Sequence, residues 1–195
     1  MTSEEEGILG RHRVNVAFNS AIAARRGLSP RVCELVDAGC NVGMGSDNMA
    51  EDMVEVMRTG LFMERVRRRD GRNPTPEEAL RWATRNGYRA MGVPQAGWLA
   101  EGNLADLIMI RVDRAHLAPF LRAVSVFVHQ GQASDVEDVM VDGRWIMREG
   151  KVLTLDEAKV IREAEEIADR AWSRLFAENP QYERPAGLRP FPASS

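Results

Sequence analysis

The chain has 195 residues, 44% of them apolar and 28% charged, which is the composition of a globular protein with one domain, or one domain and a small appendage. The net charge of −3 gives no reason to expect nucleic acid or a membrane surface as a partner. No apolar run is long enough to span a bilayer, and the acidic first residues lack a signal-peptide core. We therefore expect a cytoplasmic protein whose two cysteines, Cys33 and Cys40, are packed thiols.

In the first half of the chain, predicted strands alternate with predicted helices. Apolar residues alternate over 14–18, and a short apolar run covers 40–44, so each segment predicts a strand. Helices are predicted at 29–39, which starts with Ser-Pro and stops at glycine, at 52–68, and from a capping box at 75 to 92. This alternation is typical of parallel α/β architecture.

Three other features of this half are predicted to be irregular or solvated. Residues 1–12 are expected to be flexible, and the small and basic residues of 19–26 are expected to form a loop. A run of arginines near the end of the 52–68 segment is predicted to be a solvated helix end. The run contains Arg65, Arg67, Arg68, Arg69 and Arg72.

The second half changes from helical patterns to strand and hairpin patterns. Apolar runs or alternations predict strands at 107–112 and at 124–128. The pair Asp142-Gly143 between two alternating segments is a strong signal for a β-hairpin. A helix is predicted to begin after Asp156, and the proline-rich tail after Asn179 is expected to wrap or fray.

The residues that carry chemistry are expected just after the second strand, where small residues are followed at once by Asp47. A strand that ends this way delivers a carboxylate to the catalytic mouth of a barrel enzyme. Asp47 alone could equally be the cap of a turn. Asn48, Asn19 and Ser20 are candidate substrate-binding residues, with turn formation or loop filling as the alternative for each.

Three stretches of the chain together resemble the amidohydrolase superfamily, in its cytosine deaminase and triazine hydrolase-like branch. They are Val-Gly-Met-Gly-Ser-Asp-Asn at 42–48, Gly-Trp-Leu-Ala-Glu-Gly-Asn-Leu-Ala-Asp-Leu at 97–107 and Val-Met-Val-Asp-Gly-Arg at 139–144. The resemblance covers roughly residues 14 to 175. Its specificity comes from the order and spacing of the three stretches.

The resemblance implies an α/β fold that is the C-terminal portion of a (β/α)8 TIM-like barrel, followed by part of a flanking β-sandwich and a C-terminal helix. The implied domains are 13–93 for the barrel units, 94–155 for the sandwich segment and 156–195 for the helix and tail. The family's His-x-His motif and its middle-strand ligands have no counterpart here. A truncated gene, a split enzyme and a degenerate copy would all have such a sequence.

The resemblance also implies a function, a metal-dependent hydrolysis of a C–N bond in a cyclic amidine or amide, such as a nucleobase or triazine. Asp47 is then a ligand of a divalent metal, zinc or iron, and the catalytic carboxylate. None of the histidines His12, His116 and His129 is expected to be a ligand, so metal binding by this chain alone should be weak or absent. Expected partners are the small-molecule substrate and an N-terminal half or further copies of the chain. The alternative is a non-catalytic subunit or interaction module.

Overall fold

The computed structural model describes residues 1–47, 51–185 and 187, which form two compact units, 1–150 and 151–195. The elements of the first unit are α1 (Ser3–Arg11), β1 (Asn15–Phe18), α2 (Ser20–Arg25), α3 (Val32–Ala38), β2 (Asn41–Met44), α4 (Met53–Arg68), α5 (Pro76–Ala83), α6 (Arg85–Ala90), β3 (Leu107–Ile110), α7 (Ala123–Gln130), β4 (Val136–Val141) and β5 (Arg144–Arg148). Single 3-10 turns, Ala115–Leu117 and Ala133–Asp135, flank α7.

The first sheet is the parallel pair β1–β2, in which Val16 lies opposite Val42. Both predicted strands are confirmed. The side chains of Phe18 and Val42 are buried in a core with Val32 of α3 and Trp82 of α5. The helices therefore cover one face of the pair, which is the arrangement that parallel strands need because they are rarely stable in water alone.

Helix α4 approaches the ends of both strands closely because it carries a glycine at the contact. A methyl group at Gly60 would lie 2.6 Å from Cε of Met44 and 2.9 Å from Cε1 of Phe18. The helix begins as predicted, since the carboxylate of Asp52 accepts hydrogen bonds from the N–H groups of Val54 and Glu55.

The helix predicted from the capping box at residue 75 is real but shorter than expected. Thr75 and Glu78 cap α5 reciprocally, and Pro76 occupies its first turn. The helix then breaks at Thr84, whose backbone leaves the helical region and whose hydroxyl donates to the carbonyl of Leu80 at 2.7 Å. The expected single helix to residue 92 is therefore two helices, α5 and α6.

Three predictions for local structure were wrong. Residues 1–12 contain α1, which is capped reciprocally by Thr2 and Glu5, and 19–26 contain α2, whose alanines favour a helix. Residues 124–128 form part of helix α7 instead of a strand. Val124, Phe127 and Val128 face the core formed with α4 and α5, at the i, i+3, i+4 spacing of a helix. Alternating β-branched residues hid this spacing, and tertiary packing decided the outcome.

The second sheet of the first unit is antiparallel and joins β3, β4 and β5 in that order. The predicted hairpin at Asp142-Gly143 is confirmed, and both residues have positive φ values, of 49° and 74°. Parallel strands with covering helices followed by a hairpin sheet make the chain an α/β protein, as the sequence predicts.

The second unit contains β6 (Lys151–Val152) and α8 (Glu157–Glu178), and the cap of α8 at Asp156 is confirmed. None of the described α8 residues is buried, and Ile161 and Ile167 are more than half exposed. In the described part of the chain, no helix combines the length and apolarity needed to cross a membrane.

The arginine run is not a solvated helix end, because Arg67 is bound by two glutamates. Its guanidinium pairs with Glu64 on α4 at 2.8 Å and with Glu34 on α3. The carboxylate of Glu64, 1% exposed, also accepts a hydrogen bond from the backbone N–H of Cys33 at 2.9 Å. The prediction failed because α3 brings Glu34 and Cys33 to this surface from a distant part of the sequence.

Candidate active site at the strand ends

Asp47 lies three residues beyond the end of β2, on the exposed surface at the carboxyl end of the parallel pair. Its φ of 49° is a left-handed conformation that aspartate tolerates better than most residues. Among the described residues, no hydrogen bond to the Asp47 carboxylate is found. The carboxylate is therefore open to a metal, a water molecule or a substrate.

Asn19 stands beside this strand end because β1 is parallel to β2 and ends at the same edge. The N–H of Gly45 donates to the carbonyl of Phe18 at 3.3 Å, so the two strand ends stay paired. A methyl group at Gly45 would lie only 2.8 Å from Oδ1 of Asn19. The absence of a side chain at Gly45 thus lets the Asn19 amide lie across the exit of β2.

Ser20 is placed differently from its predicted role in a pocket. Its side chain is 0% exposed, and its hydroxyl donates a 2.6 Å hydrogen bond to the carbonyl oxygen of Val56 on α4. The local reason is that residue 20 begins α2 and so turns inward towards α4. The hydroxyl of Ser20 holds these helices together, and a substrate has no access to it in this structure.

Asn48, the remaining candidate, falls outside the residues that the structure describes. The residues on either side of that gap are connected, since the hydroxyl of Ser46 donates to the carboxylate of Glu51 at 3.0 Å. Glu51 had been predicted to be a first-turn helix acid, but the helix begins only at Met53.

A set of asparagines that the sequence analysis did not identify supports the strand that leads to Asp47. The side-chain amide of Asn86, on α6, donates to the carbonyl of Val42 at 2.8 Å. The amide of Asn41 donates in turn to the backbone carbonyl of Asn86 at 3.0 Å and to Oδ1 of Asn15 at 2.8 Å. Asparagines at the starts of two predicted parallel strands were the available sequence signal.

The aspartate of the second resembling stretch, Asp106, has a structural role. It accepts a hydrogen bond from the hydroxyl of Tyr88 and another from the N–H of Asp142, at 2.6 Å, which joins the second stretch to the third. The bond from Asp142 and then that from Tyr88 hold the pKa of Asp106 below its usual value. The same bond to Asp106, together with burial, raises the pKa of Tyr88 to about 12.

The histidines do not gather around Asp47. Nε2 of His116 lies 2.8 Å from the buried carboxylate of Asp135, while His129 lies 3.2 Å from Arg65 and 2.8 Å from the carbonyl of Ser125. Both are bonded within the fold, as predicted, although they lie on a 3-10 turn and on α7 and not on strands. Across residues 1–47, 51–185 and 187, no three His, Cys, Asp or Glu side chains are grouped to hold a metal. The chain therefore supplies one plausible ligand, where a catalytic zinc normally needs three.

Comparison with known proteins agrees with this description. The model of the amidohydrolase family matches residues 8–146. The chain is 36% identical over 173 residues to a 5-methylthioadenosine/S-adenosylhomocysteine deaminase of Pelotomaculum thermopropionicum, a match that covers 86% of the chain and 40% of that protein. It is 34% identical over 176 residues to a 5'-deoxyadenosine deaminase of Methanosarcina barkeri, covering 87% of the chain and 40% of the relative.

Solved structures share the fold at lower identity. An adenosine deaminase from Xanthomonas campestris with bound zinc superposes with a TM-score of 0.84 at 21% identity, over 89% of this chain and 41% of that one. An atrazine chlorohydrolase from Arthrobacter aurescens TC1, complexed with zinc, has a TM-score of 0.73 at 24% identity, over 84% of this chain and 38% of that one. The chain spans about 40% of the length of its curated relatives. Since the family model matches most of its residues, the chain belongs to the amidohydrolase family.

Proposed function

We propose that the chain is the C-terminal part of a deaminase that removes the amino group from the purine ring of a nucleoside. The support is the family match together with the names of the relatives, which are deaminases of methylthioadenosine, S-adenosylhomocysteine and 5'-deoxyadenosine. We further propose that β1 and β2 are strands of the (β/α)8 barrel, that β3–β5 belong to a flanking β-sandwich, and that the domain limits are those expected from the sequence.

The observation that carries this proposal is the position of Asp47. It follows β2 at the carboxyl end of a parallel strand pair, beside Asn19 at the end of β1, and its carboxylate is exposed. Active sites of barrel enzymes are built at this end of the strands, because the loops there come from several strands at once.

The role that we assign to Asp47 is proton transfer. Deamination adds water to the ring carbon that carries the amine, and ammonia leaves, so that oxygen replaces nitrogen on the ring. Asp47 would accept a proton from the attacking water and return it to the departing amine. Asn19, whose amide crosses the exit of β2, is placed to orient the substrate.

The metal of the family fits this chain only in part. Zinc is present in the two neighbours described above. In the described residues, Asp47 has no second or third ligand near it. We therefore derive no step through a metal and propose that the chain alone holds zinc or iron weakly or not at all.

The test is to complete the protein. The part of the Pelotomaculum relative that the match does not cover is placed ahead of this chain in one polypeptide, and ammonia release from 5'-deoxyadenosine and methylthioadenosine is measured. Asp47→Asn should lower turnover by about 100-fold or more, because the amide keeps the shape but cannot take the proton. Asp142→Asn is the matched control, since both aspartates are exposed and have a φ of 49°.

The alternative function, a non-catalytic subunit or interaction module, is favoured by the lack of a metal-binding group in the described part of the chain. It predicts a completed polypeptide that folds and binds zinc but releases no ammonia from either nucleoside. Turnover of the Asp47→Asn protein at the rate of the parent would instead exclude Asp47 as the catalytic carboxylate.

A further inference from the structure

We infer that the outer edge of β1 is a docking edge for a parallel strand of the polypeptide that carries the remaining ligands of the active site. This inference rests on the proposed function, whose site it completes. It starts from the hydrogen bonds between the strands. The N–H groups of Asn41 and Gly45 donate to the carbonyls of Val14 and Phe18, at 3.1 and 3.3 Å.

These bonds determine which backbone groups of β1 point away from β2. Along a strand, successive residues direct their N–H and C=O groups to opposite sides. Because residues 14 and 18 face β2, the groups of Asn15 and Ala17 face outward. Both residues are exposed, and in the described part of the chain β2 is the sole strand that pairs with β1.

The outer edge of β2 is different. The carbonyl of Val42 points away from β1, and it already accepts a hydrogen bond from the side chain of Asn86. Helix α6 packs against this strand, and Val42 is fully buried. The fold therefore covers this edge at Val42 with its own residues and leaves the edge of β1 uncovered.

An exposed edge of this kind recruits another strand. A pair of strands is also too small to be stable as an isolated sheet, and parallel sheets are normally covered by neighbours. The occupant that we assign is a strand from the part of a complete amidohydrolase that this chain does not span. That part is about 60% of the relatives' length, since the match covers 40%.

The direction of the added strand decides between this occupant and a second copy of the chain. Two copies that pair their β1 edges about a two-fold axis would run antiparallel, which brings the two strand ends with Asn19 to opposite ends of the sheet. A parallel strand places its own carboxyl end beside Asn19 and Asp47. Only the parallel arrangement adds ligands to a site where the chain supplies a single carboxylate.

The experiment measures binding and needs no turnover. The probe is a recombinant segment of the Pelotomaculum relative that covers its unmatched residues, titrated into this chain by calorimetry, with light scattering to give the stoichiometry. We expect a one-to-one complex. Ala17→Pro removes an outward N–H and no bond within the chain, so it should fold normally by circular dichroism and weaken binding about tenfold or more, a loss of about 1.4 kcal/mol.

Ala17→Val is the matched control, because it keeps the N–H and changes the same side chain, and it should bind like the parent. If Ala17→Pro does not fold, amide hydrogen exchange in the parent replaces it: the amides of Asn15 and Ala17 should become protected when the probe binds. Parental affinity of a folded Ala17→Pro protein, no protection of these amides, no complex at all, or a dimer paired through β1 would each overturn the inference.

The result is separable from the test of the proposed function. Asp47→Asn should bind the probe with the affinity of the parent, since Asp47 lies beyond the strand and makes no ladder hydrogen bond. A normal complex without any deamination would contradict the proposed function and leave the docking edge intact. Deamination by the single completed polypeptide without binding of the separate probe would do the reverse.

Discussion

The side-chain amide of Asn86 donates a 2.8 Å hydrogen bond to the carbonyl oxygen of Val42, so helix α6 holds the strand that ends at Asp47. The bond lies where Val42 is completely buried, and the backbone carbonyl of Asn86 accepts a second bond from Asn41. A buried carbonyl that loses its donor cannot turn to water. The position of β2 therefore depends on a residue far along the sequence.

Replacing this asparagine should destabilise the first unit. Asn86→Ala is expected to lower the free energy of unfolding by about 1–3 kcal/mol, because it leaves the Val42 carbonyl without a partner. Asn103→Ala is the control, since Asn103 donates a similar bond to the carbonyl of Trp98 at an exposed site. Urea unfolding followed by circular dichroism compares the two variants, and an equal loss in both would show that burial at Val42 is unimportant.

Glu64 should make stability depend on acid. Burial opposes its ionisation, but hydrogen bonds from Arg67 and from the backbone of Cys33 outweigh burial and hold the pKa of Glu64 below its usual value of 4.5. A carboxyl group with a lowered pKa stabilises the fold fully above its usual value, and this contribution is lost as the pH falls through the lowered pKa. Glu64→Gln is expected to cost about 2 kcal/mol at pH 7.

The pH series supplies the check on this prediction. The difference in unfolding free energy between the parent and Glu64→Gln should shrink as the pH falls below 4.5. Glu55→Gln, an exposed position on the same helix, should change stability by less than about 0.5 kcal/mol at every pH. A difference that stays constant down to acid pH would mean that the charge of Glu64 does not contribute.

The thiols should react only when the chain unfolds. Burial, with a hydrogen bond to Glu64, raises the pKa of Cys33 to about 12, and burial raises the pKa of Cys40 as well. Both are free and buried. With Ellman's reagent at pH 8, we expect little labelling of the native chain and two thiols per chain in guanidinium, because the thiolate is the reactive form. Rapid native labelling of Cys33 would contradict this.

Metal content should be low in the purified chain. One exposed carboxylate cannot hold a catalytic zinc, which normally has three protein ligands. Elemental analysis after gel filtration is expected to find zinc and iron well below one per chain, with no further loss in Asp47→Ala. One tightly held metal per chain that disappears in Asp47→Ala would mean that ligands we did not identify complete the site.

The sequence by itself determined several features of the protein correctly. The strands at β1 and β2, the caps of α4, α5 and α8 and the Asp142-Gly143 hairpin were all predicted, as was the family. These features depend on a few neighbouring residues, such as a carboxylate that meets the first N–H groups of a helix or a turn that needs positive φ. Local chemistry of this kind is visible in a single chain.

The tertiary structure decided what depends on distant residues. Helix α7 forms because Phe127 and Val128 can be buried against α4 and α5, although the segment alternates like a strand. Ser20 is withdrawn from the candidate site because α4 offers it the carbonyl of Val56, and Asn86 supports β2 across 44 residues of sequence. Packing and hydrogen bonds between remote segments override local preference, since buried polar groups must find their partners wherever the fold supplies them.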